Sequence, residues 1–242
     1  MGIKKCAQDT NLCIAIQCFL KVVRSKYAFI GGTTGRKFIS GFRWTNPEKR
    51  VSFAIQNEPN ESMEPEITIR PESPREFSAV YDLVRVAFLS AKISAGDEQD
   101  YVSCLRQSAN YIPELSLVAY CGDQLVGHLM MSKSFIRPDR VCVPRLEPFR
   151  LLLLAPLAVE LRHRKQGIGA QLVQNAFQRA AQLGWSAVAV VGDPAYYERM
   201  GFVPAARYGI YAAGDRQMYE PYLLVKELTP GVLDSVSGTI DL

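Results

Sequence analysis

The stretch of this chain best equipped for chemistry reads Leu157-Ala158-Val159-Glu160-Leu161-Arg162-His163-Arg164-Lys165-Gln166-Gly167-Ile168-Gly169-Ala170. An apolar run gives way to basic residues, and two glycines then open an amphipathic segment. Glycine in a helical turn costs about 1 kcal/mol relative to alanine, so a compensating use is expected. The first amides of a helix lack intrahelical acceptors and sit at the positive end of its dipole, and glycine lets a bulky anion come close to them. Successive N–H groups from Arg164 to Gly169 would form a nest for a diphosphate, with Arg164 and Lys165 adding positive charge. A glycine turn that only packs a helix on a strand would read the same in isolation. Other phosphate motifs fit worse: the dinucleotide fingerprint needs a third small residue where Leu172 stands, and the Walker loop needs a Gly-Lys-Ser/Thr that is absent.

The elements that must position this stretch follow from periodicity. A short strand is expected at Ile67 to Arg70, then the capping sequence Ser73-Pro74-Arg75-Glu76. Phe77, Val80, Val84, Ala87, Phe88 and Ala91 recur at helical spacing behind it. A second helix is expected over Glu98 to Gln107, and a hairpin from Leu115–Cys121 and Gln124–Met131 about the turn Gly122-Asp123. Leu151 to Val159 reads as a buried strand and Lys165 to Leu183 as a helix stopped by Gly184. A buried strand over Ser186 to Val191, a short helix from Asp193-Pro194 to Gly201 and a last strand over Tyr222 to Leu228 complete the order. This is an α/β pattern, a mixed sheet with helices on both faces. Pro156 cannot donate to a ladder, so inside this central strand it belongs at a bulge or an unpaired edge.

Charge divides unevenly along the 242 residues, whose net is +4. Residues 1–62 hold 10 Lys/Arg against 4 Asp/Glu, leaving 18 basic and 20 acidic residues over 63–242, a net of −2. A nucleic-acid footprint on the larger part is therefore not expected. Residues 1–62 lack sustained periodicity and read as an extension, flexible or preceding a native start at Met63; 63–242 reads as the domain. The longest apolar run, interrupted by Pro156, is far short of the roughly 20 residues a membrane span needs. The six cysteines form no CxxC pair and with two histidines give no zinc spacing, which suits reduced thiols of a cytoplasmic protein that holds no metal.

Two segments together carry a resemblance. Arg164-x-x-Gly167-x-Gly169 after a strand ending Leu157-Ala158-Val159 resembles the acyl-CoA-binding motif of the GNAT superfamily of N-acetyltransferases, and Asp193-Pro194-Ala195-Tyr196-Tyr197-Glu198-Arg199-Met200-Gly201-Phe202 is similar to its later Tyr-x-x-x-Gly-Phe segment. The pattern looks like the YhbS-like branch and covers Ile67 to the C-terminus. The resemblance implies a GNAT-like mixed central sheet with a splayed pair of parallel strands forming an acyl-CoA cleft. It implies acetyl-CoA as cosubstrate, with the pantetheine arm along Leu157, Ala158 and Val159 and the diphosphate at Arg164, Lys165, Gln166, Gly167, Ile168, Gly169 and Ala170. It implies direct attack of a primary amine, small molecule or peptide, on the thioester, and Tyr197 as proton donor to the leaving sulfur. With reference pKa values near 10 for tyrosine and 8.5 for a thiol, full transfer would be uphill by roughly 2 kcal/mol, which favours a hydrogen-bond donor. Tyr196 is the competing side chain.

No general base is assigned. Glu160 lies near the expected phosphates, Glu147 and Glu114 have no geometric support, and His128 and His163 read as structural or solvated, so water-mediated deprotonation stands beside them. An acyl-CoA sensor or inactive homologue without turnover is the alternative function. A homodimer is left open, and the acceptor is not legible in the variable regions Ala91–Tyr111 and Ala205–Tyr219.

Overall fold

The computed structural model describes residues 66–91, 94, 96–138, 147–214 and 216–242. The extension expected at 1–62 and the boundary at Met63 lie outside the described residues. The elements are β1 (Ile67–Pro71), a 3-10 turn (Pro74–Glu76) running into α1 (Phe77–Phe88), α2 (Glu98–Arg106), β2 (Ser116–Cys121), β3 (Gln124–Arg137), β4 (Phe149–Val159), α3 (Ile168–Gln182), β5 (Ala187–Val191), α4 (Pro194–Tyr197), β6 (Val203–Pro204), β7 (Ile210–Ala212), α5 (Arg216–Tyr219), β8 (Leu223–Glu227) and β9 (Gly238–Ile240). The sheet order is β1-β2-β3-β4-β5-β8-β6, with β9 joining the far end of β3 and β7 joining β9. Among the described residues, β4 with β5 and β7 with β9 run parallel and the other pairs are antiparallel.

Helices cover both faces, as the alternation along the strands requires. Leu117, Ala119, Leu129 and Met131 turn toward α3 and meet Ile168, Leu172 and Ala176 in the largest core cluster. Val118 and Ala158 turn the other way and pack on Val80, Val84 and Ala87 of α1. Leu183, expected on the buried face of the long helix, is instead its C-cap and is exposed. The hairpin's second strand runs to Arg137 rather than Met131, because β4 continues the ladder through Ser132↔Leu153, Ser134↔Leu151 and Ile136↔Phe149. The strand at Leu223–Glu227 is not the last, since Gly238–Ile240 returns to pair with β3 and β7.

One buried polar network fixes the start of the sheet to α2. Glu72 follows β1, its side chain fully buried, and accepts from Arg106 Nε (3.0 Å), Arg106 Nη2 (2.6 Å), Tyr111 (3.1 Å) and Ser116 Oγ (2.6 Å). His128 Nε2 lies 3.5 Å from the same carboxylate, and its Nδ1 is buried without a partner among the described residues. Burial pushes the imidazole below its ordinary value, so it is neutral and carries its proton on Nε2, facing Glu72. Burial alone would raise the Glu72 carboxyl, but hydrogen bonds from His128, Arg106 and Ser116 outweigh it and bring it down to about 2. The 4.0 Å stack of the Arg106 guanidinium on the Phe77 ring ties α1 into the same knot.

The sign of the resulting pH dependence is fixed. A carboxylate lowered by folding adds stability that is complete above its unfolded value and is lost as pH falls through the folded one. Glu72 therefore contributes roughly 2–3 kcal/mol at neutral pH that disappears between about pH 5 and 2. In thermal unfolding across that range, Glu72→Gln is expected to start less stable and to show a shallower acid decline than the wild type; parallel curves would contradict the assignment.

Candidate active site

Strand β4 holds the parallel partner β5 only over Leu152↔Val188, Leu153↔Ala189 and Leu154↔Val190. Beyond Leu154 its other edge stays paired to β3, through Leu129↔Leu157, His128↔Ala158 and Gly127↔Val159, while the step from Leu154 to Leu157 spans one more residue than Met131 to Leu129. That extra residue is a bulge at Ala155-Pro156, where a residue without an N–H is tolerated. The strands consequently part after Leu154, and β5 continues on β8 through Val191↔Leu223.

Register decides what β4 offers to the gap. Glu160 N–H donates to Val126 O at 2.8 Å, so by antiparallel alternation Ala158 also spends its backbone groups on β3. Leu157 and Val159 then turn their N–H and C=O groups to the open side. Ala155, Leu157 and Val159 are half-buried there, whereas Pro156 and Ala158 are buried on the α1 face.

The chain leaves β4 through a 3-10 turn, Leu161–His163, capped by the Glu160 carboxylate, which accepts from Arg162 N (2.9 Å) and holds His163 Nδ1 at 2.7 Å. His163 and the Arg162 amide pull the Glu160 carboxyl below its ordinary value. Glu160 is thus a capping anion. Lys165 then takes φ +65° and Gly167 φ +82°. A left-handed lysine costs about 1–2 kcal/mol, a strain that turns consecutive amides toward one side. The amides from Arg164 to Ala170 donate to no acceptor among the described residues; the first α3 bond is Gln171 N to Gly167 O at 3.0 Å. Ile168 is buried in the core, Gln166 Nε2 donates to Arg162 O, and the Lys165 side chain is exposed.

Arg164 departs from the expectation that its charge faces a diphosphate. Its guanidinium turns inward and donates to Val159 O (3.2 Å), Ala87 O (2.6 Å) and Ser90 Oγ (2.9 Å), clamping β4 to the C-terminal end of α1. A cation there meets the negative pole of α1, which stops at Phe88 and not at Ala91.

Helix α4 carries both tyrosines. Asp193 caps it by accepting from Ala195 N at 3.0 Å, and Gly201, with φ +84°, ends the turn that follows. The Tyr197 ring is buried against Phe202 and, edge-on at 5.0 Å, against Tyr196. Burial pushes the Tyr197 phenol far above its ordinary value, so it stays protonated. The Tyr196 hydroxyl rests on Gly169 in the first turn of α3, beside Val159, where a β-carbon at position 169 would collide with it. Tyr196 thereby packs on the first turn of α3, a placement that the sequence motif alone does not reveal. His128 and Glu72 lie in the buried network on the α1/α2 face. Among the described residues no group of three His, Cys, Asp or Glu is placed to hold a metal ion, and no helix is long and apolar enough to cross a membrane.

The Arg164 clamp predicts a stability effect. Arg164→Ala is expected to lose roughly 2–3 kcal/mol in denaturant unfolding, since it removes charge-assisted bonds to two buried carbonyls. Arg164→Lys should recover less than half, because an ammonium cannot fork onto three separated acceptors. Full recovery by lysine would mean that only charge matters at this position.

Comparison with known proteins agrees with this geometry. Residues 113–204 match the acetyltransferase (GNAT) domain family. The chain is 28% identical over 130 residues to the uncharacterized N-acetyltransferase YjhQ of Escherichia coli K12, covering 54% of this chain and 65% of that protein. It is 33% identical over 90 residues to the uncharacterized N-acetyltransferase YhbS of the same strain, covering 36% of this chain and 52% of that protein. It thus spans about half to two-thirds of the length of these relatives. The crystal structure of Escherichia coli YhbS in complex with CoA superposes with a TM-score of 0.61 at 28% identity, over 72% of this chain and 88% of that one. A GNAT acetyltransferase of Brucella melitensis in complex with acetyl-CoA gives 0.56 at 22% identity, over 74% and 96%, a likeness of fold. The parted strands, the amide turn and the tyrosine helix stand in the order the motif demands, and residues 113–204, from β2 to β6, match a GNAT acetyltransferase domain.

Proposed function

We propose that residues 63–242 bind acetyl-CoA and transfer its acetyl group to a primary amine of a small molecule or peptide by direct attack. The reading rests on one observation above all: the amides from Arg164 to Ala170, in the turn that follows the strand parted from β5, have no acceptors of their own among the described residues. Such a turn suits a diphosphate, and the open edge of β4 suits an amide-bearing arm that can pair with Leu157 and Val159. YhbS, similar in fold and in the matched segment, is solved with CoA.

The coenzyme supplies a thioester, which a neutral amine attacks at the carbonyl carbon. The residues of this chain then have separable roles. Leu157 and Val159 N–H groups are preorganised donors along the open strand, able to anchor the arm and to meet charge developing on the carbonyl oxygen. Exposed Lys165 adds cationic charge at the phosphate turn. Tyr197, held protonated by burial, donates a hydrogen bond to the departing sulfur; its raised phenol pKa argues against complete proton transfer. Tyr196 bounds the phosphate end of the cleft over Gly169.

Purified protein is expected to bind acetyl-CoA and to release free thiol when a panel of primary amines is supplied. Tyr197→Phe should lower kcat by about 10- to 100-fold, equivalent to roughly 1.4–2.7 kcal/mol, with affinity for acetyl-CoA unchanged within about threefold. An unchanged kcat would remove Tyr197 from the mechanism. Binding without thiol release for every amine tried would favour an acyl-CoA sensor.

A further inference from the structure

β1 stands at one end of the strand order. β1 pairs with β2 on one side and with no other strand among the described residues. Its parity is set by Glu72, whose N–H donates to Ser116 O at 2.8 Å. Antiparallel alternation therefore directs the backbone groups of Thr68 and Arg70 to β2 and those of Ile67 and Ile69 outward. Pro71 has no N–H, so the open edge ends there. Ile67 and Ile69 are half-buried against the main core cluster and floor a groove of about 360 Å³, walled on α3 by Gln171, Gln174, Asn175 and Gln178. Glu66, Thr68 and Arg70 are exposed on the opposite face.

We propose that this edge is the interface of a twofold dimer of the chain, formed by antiparallel pairing of β1 with β1 of a second copy. An axis through Thr68 sets Ile67 opposite Ile69 of the second copy, so that the two outward-facing residues exchange backbone hydrogen bonds on each side of the axis. The same register sets Glu66 opposite Arg70 of the second copy, twice, on one face. The pattern is self-complementary in charge. Shifting the axis by one residue either way breaks both matches: Glu66 or Arg70 then opposes Thr68, and an outward-facing residue opposes residue 65 or Pro71. Arg70 is already ordered for this role, since its guanidinium holds Glu76 at 2.7 and 2.9 Å and lies 5.0 Å over the Tyr120 ring while remaining 46% exposed. Exposed strand edges are ordinarily guarded by charge, proline, bulges or shortness, and Pro71 closes one end of this one. The rest has regular pairing to β2, two isoleucines beside a groove and charges that match a copy of themselves. The amide side chains of α3 offer donors and acceptors to the rim of that groove without repelling a second copy. The inference is independent of acetyl transfer.

Light scattering on the full-length protein after size-exclusion chromatography tests it. The wild type is expected at twice the chain mass. Ile67→Pro should give a monomer, because its N–H faces outward and its loss spares the ladder to β2; Glu66→Arg should weaken the dimer at least about tenfold by setting two cations opposite each other. Paired residues on the axis have Cα atoms about 4.5 Å apart, so Thr68→Cys should form a reducible dimer joined through position 68 on mild oxidation, read by peptide mass spectrometry. That crosslink decides the matter if the proline variant fails to fold. A monomeric wild type would overturn the proposal, as would a dimer that both substitutions leave intact and that does not crosslink at position 68.

Discussion

Backbone hydrogen bonds that cannot be made within the fold govern this molecule. Strand β4 loses its parallel partner after Leu154, bulges at Pro156, and leaves the sheet into a turn whose amides, from Arg164 to Ala170, have no acceptor among the described residues. Unmet buried donors are costly, and a fold tolerates a run of them only where solvent or a ligand can satisfy them. The surroundings hold this arrangement in place. The Glu160 carboxylate caps the turn, the Arg164 guanidinium fastens its base to α1, and the buried side chains of Ile168 and Leu172 anchor the start of α3 in the core. The strained φ of Lys165 belongs to the same economy of shape.

Rigidity on the other face follows from a second constraint. Glu72, Arg106, Ser116 and His128 come from four separate segments, and the buried Glu72–Arg106 charges are worth having only while the network remains paired. This makes the α1/α2 side a fixed wall beside β4, since His128 pairs across the ladder with Ala158 on the opened part of that strand.

Much of this was legible in the chain. Period-two and period-3.6 patterns locate β2, β4, α1 and α3, and Pro156 announces the bulge, because one missing N–H in an apolar run has few tolerated places. The glycine turn and the tyrosine helix could be read because their geometry is local. What escaped is what depends on distant partners. β9 is three residues long and owes its existence to β3 and β7. Arg164 looks like a phosphate ligand in sequence, and only its contacts with Ala87 and Ser90, from an element 74 and more residues away, show its charge turned inward. Glu72 and Arg106 lie 34 residues apart with no local signature of pairing. Tyr196 and Tyr197 are adjacent and alike; only packing separates the one over Gly169 from the one buried against Phe202.

The central claim is that the free amides of this turn grip a diphosphate, and amide NMR reads it directly. On titration of the isotopically labelled protein with CoA, the N–H resonances of Gly167, Ile168, Gly169 and Ala170 are expected to shift downfield together and saturate with one binding curve. Saturable binding that leaves those amides unmoved and perturbs a different surface would contradict the account.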